Sequence, residues 1–208
     1  IAVDMVKENL ISKKEAVLRV EPNSLDTLLH PTLDEKANLE VIGLGLPASP
    51  GAASGKVVFS ADEAERLSSM MQDTILVRLE TSPEDIHGMA AAEGILTARG
   101  GLTSHAAVIA RGMGKPCVVG CQTLFIDLAS QSLRVGDHTL GSGDAITIDG
   151  TTGEVYLGKL DIVPSEVIRV LVNKVGNPDE APVYQAFQQV MKWADGVRRL
   201  GVRTNADS

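Results

Sequence analysis

Aromatic residues are scarce in this 208-residue sequence, since Phe, Trp and Tyr together make up only 3% of it. Basic residues are also outnumbered, with 19 Lys and Arg against 27 Asp and Glu and a formal net charge of −8. A surface that binds nucleic acid needs positive charge and side chains on which bases stack. The composition therefore argues against nucleic acid as a partner.

Long apolar runs and cysteines are scarce as well. No run approaches the roughly 20 apolar residues of a membrane-spanning helix, and no secretory signal is visible, so we expect no membrane partner. The two cysteines, Cys117 and Cys121, have neither the Cys-x-x-Cys redox spacing nor enough ligands for a zinc site. We expect packed free thiols, no metal ligand in this chain and a cytoplasmic protein.

Helical patterns stand at both ends of the chain. Residues 1–30 include a capping box at residues 12–15, and they either dock on a neighbouring domain or pack on this chain's own core. Residues 161–208 are again helical in pattern. The chain begins with Ile1 rather than Met and ends soon after a strand-like start, so we expect a fragment of a longer protein.

The middle of the sequence mixes strand and helix patterns. Glycine, proline and serine gather in residues 43–55, where we place a domain boundary and a hinge, with a second hinge in residues 158–182. We see no regular strand–helix alternation of the kind that a doubly wound sheet requires. Turns containing Gly and Asp separate most of the short strands in the second half: we expect these strands at 124–126, 132–135, 139–140, 145–148 and 155–157.

One stretch concentrates the chemistry. Residues 94–98 read as a buried strand, Gly100 and Gly101 form a loop, and the residues up to Met113 read as a helix. Thr103 and Ser104 can cap that helix, which places His105 in its first turn.

A histidine at this position can serve as a nucleophile. The free N–H groups and the dipole at a helix N-terminus favour an anion and disfavour an imidazolium, although the dipole contributes only about 0.3–1 kcal/mol when exposed. Small side chains at Gly100, Gly101, Ala106 and Ala107 leave room for a large group. A neutral His105 in such a pocket suits phosphoryl capture on nitrogen. The alternative is that His105 lies there by chance beside an ordinary cap.

Residues 100–120, GGLTSHAAVIARGMGKPCVVG, resemble the phosphohistidine signature of the phosphoenolpyruvate-utilising enzymes. Residues 80–85 and 91–99 resemble the segments that lead into that signature. Residues 15–22 resemble the helical tail after a nucleotide-binding region, and residues 202–207 resemble the first strand of the family's barrel. The resemblance thus covers nearly the whole chain.

The resemblance implies an α+β fold, a β/β/α swivelling phosphohistidine domain flanked by helical linkers. Residues 1–46 would then be a helical tail from an absent nucleotide-binding domain, and residues 47–160 the phosphohistidine domain. Residues 161–208 would be a helical connector and the start of an absent phosphoenolpyruvate/pyruvate barrel. Those two domains of the same chain are the implied partners, Mg²⁺ is implied only for the full-length enzyme, and a homodimer is expected.

The resemblance also implies a function and a set of site residues. It is strongest with the branch that converts ATP, phosphate and pyruvate into AMP, diphosphate and phosphoenolpyruvate, a phosphotransferase that we do not expect to be active as this fragment alone. The implied roles are catalysis for His105, phosphate support for Gly100, Gly101 and Ser104, regulatory phosphorylation for Thr103 and phosphoenolpyruvate or pyruvate binding for Arg203.

Three alternatives remain open from the sequence. The first is a carrier domain of the branch that uses water in place of phosphate as acceptor, which Leu102 and Ser104 argue against. The second is a non-catalytic docking module whose helix N-terminus holds phosphate. The third is a purely structural linker.

Overall fold

The computed structural model describes residues 1–34 and 40–201. None of the described helices is long and apolar enough to cross a membrane. The helices are α1 (Ala2–Lys7), α2 (Lys13–Arg19), α3 (Pro22–Thr27), α4 (Ala61–Ser69), α5 (Ile86–Ala91), α6 (His105–Met113), α7 (Glu166–Leu171) and α8 (Pro182–Asp195). The strands are β1 (Thr32–Leu33), β2 (Val41–Leu44), β3 (Leu46–Ser49), β4 (Ala52–Val58), β5 (Thr74–Arg78), β6 (Gly94–Thr97), β7 (Cys117–Val119), β8 (Leu124–Asp127), β9 (Ser132–Val135), β10 (His138–Gly141), β11 (Ala145–Asp149), β12 (Glu154–Leu157) and β13 (Ile162–Val163).

The chain divides into two compact units. One is formed by residues 30–164, and the other combines residues 1–29 with the residues from Ser165 onward. The larger unit contains all of the predicted phosphohistidine domain, residues 47–160, together with β2. The predicted limits after residues 46 and 160 concern the domains of a longer protein and remain a prediction.

An eight-stranded sheet runs through the larger unit in the order β2-β12-β11-β4-β5-β6-β7-β3. Strands β4 to β7 pair in parallel, whereas the other neighbours in this sheet are antiparallel. Because α4, α5 and α6 connect the four parallel strands in turn, the expected lack of strand–helix alternation is wrong here. The pattern is hard to detect because α5 has only 6 residues and follows a 3-10 turn at Pro83–Asp85.

The two outer strands of this sheet, β2 and β3, are consecutive in sequence and are joined by Gly45. The sheet therefore curls until its edges meet, and the Gly45 N–H donates to the Gly153 carbonyl at 2.8 Å. A Cβ atom on Gly45 would lie 2.6 Å from Val118 Cγ1 and 2.8 Å from the Val119 carbonyl oxygen. The hinge expected in residues 43–55 is wrong, because β2, β3 and β4 build that segment into the sheet.

The larger unit has three layers. Successive residues of a strand point to opposite faces, so Ile75 and Leu76 of β5 belong to different buried clusters. The cluster on one face includes Leu76, Ile95, Ala64 of α4, Met89 of α5 and Ala107 of α6. The cluster on the other face includes Ile75, Val118, Leu124, Leu133 and Val135. Helices thus cover one face and the antiparallel sheet β10-β9-β8 covers the other, which confirms the expected α+β class with β/β/α layers.

The second half of the larger unit consists of short antiparallel strands. The five strands predicted there correspond to β8, β9, β10, β11 and β12, with ends shifted by one residue or less. Strands β11 and β12 form a hairpin, in which Asp149 pairs with Glu154. Turn residues therefore identified these strands correctly.

The smaller unit is helical in its described part. The predicted capping box at the start of α2 is present, because the Ser12 N–H donates to the Glu15 carboxylate at 2.8 Å and Ser12 Oγ accepts from the Glu15 N–H at 3.2 Å. A cluster of Val167, Val170, Ala181 and Tyr184 forms its buried centre. These helices therefore pack on one another within the chain.

Candidate functional site

His105 is the first residue of α6, at the end of the loop that follows β6. Ser104 is the N-cap residue, and its Oγ accepts a hydrogen bond from the Ala107 N–H at 3.5 Å. The helix ends at Gly114, which has a left-handed backbone with φ of 66°. The imidazole of His105 is half-buried, so solvent and ligands can reach it.

The Thr81 hydroxyl holds one nitrogen of the His105 ring. Thr81 Oγ1 lies 3.0 Å from His105 Nδ1. When the ring is in the tautomer that carries its proton on Nδ1, that N–H donates to Thr81 and the Nε2 lone pair is left to react. Among the residues that the structure describes, Nε2 has no hydrogen-bond partner.

Sequence reasoning did not assign Thr81 to the site. It lies 24 residues before His105, in the loop after β5, whereas His105 follows β6. Strands β5 and β6 are parallel neighbours, so their carboxyl ends meet at one edge of the sheet. That topology, combined with a hydroxyl residue directly after β5, is the signal that could have identified Thr81.

The loop that carries Thr81 is fixed by local hydrogen bonds. The Ser82 N–H donates to Asp85 Oδ2 at 2.9 Å, and Ser82 Oγ donates to Glu84 Oε2 at 2.6 Å. The Ser82 hydroxyl lowers the pKa of Glu84 below its usual value, and the neighbouring His105 adds a smaller effect in the same direction. Glu84 is therefore a solvent-exposed carboxylate near the imidazole.

The glycine loop is held close to the helix that follows it. Gly100 has φ of +109°, and a Cβ there would lie 3.0 Å from Ser104 Oγ. Around Gly101, in contrast, a Cβ would meet nothing within 4 Å. Arg111 of α6 donates to the carbonyl oxygens of Leu102 at 2.7 Å and of Ala48 at 2.9 Å, which ties the loop to β3.

The backbone at the start of α6 offers hydrogen-bond donors. The amides of His105 and Ala106 precede the first intrahelical hydrogen bond, and neither has a partner among the described residues. Such amides and the helix dipole together favour an anion. The arrangement can therefore stabilise negative charge at the start of α6, where His105 lies.

The other residues that the sequence analysis named lie in several places. Gly100, Gly101, Thr103 and Ser104 lie in the loop that leads to His105, with Thr103 exposed. Arg203 lies outside the described residues. Cys117 and Cys121 are free and buried, and burial raises the pKa of the Cys117 thiol to about 12.

Two other histidines have local carboxylate partners. His87 Nε2 lies 3.1 Å from Asp62 Oδ1, and His138 Nε2 lies 3.2 Å from Glu40 Oε1. His138 is the first residue of β10. Neither ring lies on the loops around His105.

Part of the sequence around this site matches a known protein family. Residues 70–153 match the family model described as the PEP-utilising enzyme, mobile domain. That segment contains Thr81, the glycine loop and His105. This part of the chain is therefore similar to the mobile domain of the PEP-utilising enzymes.

Within that family, the whole chain aligns with pyruvate, phosphate dikinases. It is 53% identical over 208 residues to the dikinase of Rhizobium meliloti, 51% over 210 residues to that of Clostridium symbiosum and 50% over 210 residues to the chloroplastic dikinase 1 of Arabidopsis thaliana. Each alignment covers 100% of this chain but only 20–22% of the relative. The chain thus spans about a fifth of the length of these curated relatives.

Similarity to a solved structure is weaker. The solution structure of the Enzyme I (nEIt) protein matches 59% of this chain and 40% of its own, with 23% sequence identity and a TM-score of 0.30. At this level the superposition supports no argument about the site.

Proposed function

We propose that this chain is the phosphoryl-carrying segment of a pyruvate, phosphate dikinase and that His105 is its phosphoryl acceptor. The observation that supports this most is the 3.0 Å contact between Thr81 Oγ1 and His105 Nδ1 at the start of α6. It engages one ring nitrogen and leaves the other without a partner among the described residues, on a residue of the first helical turn, where the His105 and Ala106 amides are also unpaired. The longer protein would then convert ATP, phosphate and pyruvate into AMP, diphosphate and phosphoenolpyruvate.

The proposed transfer proceeds in three displacements. The Nε2 lone pair of His105 attacks the β-phosphorus of ATP, and the bond to the bridging oxygen breaks so that AMP leaves with the electron pair. Inorganic phosphate then attacks the terminal phosphorus of the diphosphoryl group, which releases diphosphate and leaves one phosphoryl group on Nε2. The enolate oxygen of pyruvate finally takes that group, and the electron pair of the N–P bond returns to Nε2.

Residues around the ring have supporting roles in this proposal. The N–H groups of His105 and Ala106 stabilise the phosphoryl oxygens. Gly100 allows the tight turn, Gly101 leaves the approach open, and Ser104 caps the helix so that the imidazole keeps its position. Because Nδ1–H donates to Thr81, the proton stays on the nitrogen that does not react.

Thr103 is a proposed site of regulation. Its side chain is exposed two residues before His105. A phosphate on Thr103 would add about −1.5 to −2 charges at pH 7. That charge would occupy the anion-favouring helix N-terminus and repel the incoming phosphoryl donor, so phosphorylation of Thr103 is proposed to inhibit transfer.

The remaining proposals concern the longer protein. Its nucleotide-binding and barrel domains would supply the substrates, Arg203 would contact phosphoenolpyruvate or pyruvate, and the enzyme would be a cytoplasmic homodimer. Mg²⁺ would act in those other domains. No group of three or more His, Cys, Asp or Glu side chains gathers anywhere in residues 1–34 and 40–201, so no step at His105 is assigned to the ion.

Labelling of the longer protein with radioactive phosphoenolpyruvate tests the proposal. We expect label that is lost in acid and stable in alkali, as phosphohistidine requires, and we expect none in the His105→Asn variant. His87→Asn is the matched control and should label normally, because His87 contacts Asp62 away from the loops of the site.

The other outcomes of that labelling identify the alternatives. A docking module would take up no covalent label, and a structural linker would keep full activity after His105→Ala. A carrier that uses water as acceptor would label at His105, yet its ATP-dependent turnover would proceed without added phosphate. Each of these results contradicts the dikinase proposal.

A further inference from the structure

Asp85 is the most deeply buried charged residue near the site, with a relative exposure of only 4%. Its carboxylate accepts hydrogen bonds from the Ser82 N–H at 2.9 Å and from Ser82 Oγ at 3.3 Å. It also pairs with Arg78 Nη2 at 3.3 Å. A carboxylate that served only as a helix cap could stay in solvent, so its burial against a guanidinium calls for a further explanation.

Arg78 connects Asp85 to two strands. It is the last residue of β5, and its Nη1 donates to the Phe59 carbonyl oxygen at 2.9 Å, just beyond the end of β4. Its own carbonyl oxygen accepts from the Ala98 N–H at 3.1 Å, in the segment that leads to the glycine loop. One arginine therefore joins the ends of β4, β5 and β6 at the edge of the sheet where His105 lies.

Thr81 lies inside the loop that this ion pair closes. The chain leaves the sheet at Arg78, passes through Thr81 and Ser82, and is bound back to Arg78 at Asp85. The Arg99 N–H also donates to the Leu79 carbonyl oxygen at 2.8 Å. The loop is thus bound on both sides of Thr81, whose hydroxyl contacts His105.

We propose that the Arg78–Asp85 ion pair is a positioning device for His105, which acts through Thr81 and fixes the ring with Nδ1 bonded and Nε2 directed outward. The proposal rests on the function proposed for His105. Neither residue touches the imidazole, so both are positioning residues and not catalytic ones. Loss of the pair lets the Thr81 loop move, which allows the ring to rotate and to exchange tautomers.

The first test observes the ring without any phosphoryl transfer. Nitrogen-15 NMR of histidine-labelled chain reports which ring nitrogen of His105 carries the proton. We expect one dominant tautomer in the unaltered chain and a mixture in Asp85→Asn, as in Thr81→Val. The control is Asp62→Asn, an equivalent loss of a carboxylate at an exposed position, which should leave the His105 signals unchanged.

The second test measures phosphorylation of His105 in the longer protein. We expect Asp85→Asn to lower the maximal rate by no more than the loss of about fivefold that removal of the Thr81 hydroxyl causes, while the KM for phosphoenolpyruvate changes less than twofold. The double variant Thr81→Val/Asp85→Asn should be no slower than Thr81→Val alone, because both changes remove the same contact. Rate losses that multiply in the double variant would overturn the proposal, as would unchanged His105 signals in Asp85→Asn.

If the Asp85→Asn variant does not fold, Arg78→Lys tests the same ion pair from its other side. Lysine keeps the charge, but it cannot reach both the Phe59 carbonyl and Asp85 as the forked guanidinium does. We expect a mixed tautomer and a reduced rate here too, whereas wild-type values for both would overturn the proposal. Absence of label at His105 in the unaltered longer protein would instead contradict the proposed function, independently of the NMR result.

Discussion

At the residue scale, the site depends on which of two ring nitrogens is free. Thr81 Oγ1 lies 3.0 Å from His105 Nδ1, and when Thr81 accepts from an N–H at Nδ1, Nε2 is the nitrogen that carries the free lone pair. Because the two groups are partly buried, water competes less for them and this hydrogen bond is stronger than it would be in solvent. A single hydroxyl therefore engages one of the two ring nitrogens of His105.

Replacement of Thr81 should slow phosphorylation of His105 without abolishing it. A neutral hydrogen bond contributes about 1 kcal/mol, which corresponds to a rate effect of about fivefold. We expect that loss in Thr81→Val, which keeps the side-chain shape, and a near-normal rate in Thr81→Ser, which keeps the hydroxyl. Rapid-quench labelling of the longer protein measures both rates, and equal rates in the two variants would show that the hydroxyl is irrelevant.

Cys117 should make the stability of the folded chain depend on pH in the alkaline range. Burial disfavours the thiolate and raises the pKa of this thiol from 9.0 to about 12. The unfolded chain therefore releases the thiol proton first, so the contribution of Cys117 to stability is complete below pH 9 and is lost as the pH rises toward 12.

Urea unfolding at several pH values tests this expectation. The free energy of unfolding should fall more steeply above pH 9 in the unaltered chain than in Cys117→Ala. Other groups that titrate in this range, including Tyr156, whose pKa burial also raises, are common to both proteins and cancel in the comparison. Parallel curves across the whole range would contradict the prediction.

At the scale of elements, features that depend on near neighbours in sequence could be predicted. Ser12 and Ser104 cap their helices as expected, because a cap needs only a polar side chain within three residues of its partner. The hairpin at Asp149 follows from its turn residues in the same way. The first turn of α6, and hence the place of His105, was therefore accessible from the sequence.

Features that depend on distant neighbours could not be predicted. The meeting of β2 and β3 at Gly45 joins opposite edges of one sheet, and nothing in residues 43–55 distinguishes that arrangement from a flexible segment. The contact between Thr81 and His105 likewise requires that β5 and β6 be known to be parallel neighbours. The sequence reveals strands locally, but it does not reveal their order.

The closure of the sheet at Gly45 leads to a stability prediction. Gly45→Ala would place a Cβ 2.6 Å from Val118 Cγ1 and 2.8 Å from a backbone oxygen, and overpacking of this kind costs about 1–3 kcal/mol. Gly112→Ala is the matched control, because a Cβ there meets nothing within 4 Å. The control replaces a glycine inside α6 and should stabilise by about 0.5–1 kcal/mol.

The midpoint of urea unfolding measures both changes. We expect a lower midpoint for Gly45→Ala and an unchanged or higher one for Gly112→Ala. A Gly45→Ala chain as stable as the unaltered one would mean that the edges of the sheet are not held together at this residue.

At the scale of the whole molecule, charge is distributed unevenly between the two units. Residues 30–164 contain 17 acidic and 9 basic residues, so they account for the full net charge of −8, and the rest of the chain is balanced. Exposed carboxylates of Glu80 and Glu84 stand on the loop that carries Thr81. The unit that contains His105 therefore repels polyanions such as ATP at long range.

This charge distribution predicts that the isolated 208-residue chain cannot turn over ATP and pyruvate. The start of α6 can stabilise one phosphoryl group, but an acidic surface does not supply the cationic groups that bind a nucleoside triphosphate, so these must come from the rest of the longer protein. We expect no phosphoenolpyruvate from the isolated chain in a coupled assay, while the longer protein at equal concentration is active. Circular dichroism of the same sample establishes that the isolated chain is folded. Measurable net turnover by that folded chain would contradict the proposal that the remaining domains must bind the substrates for His105.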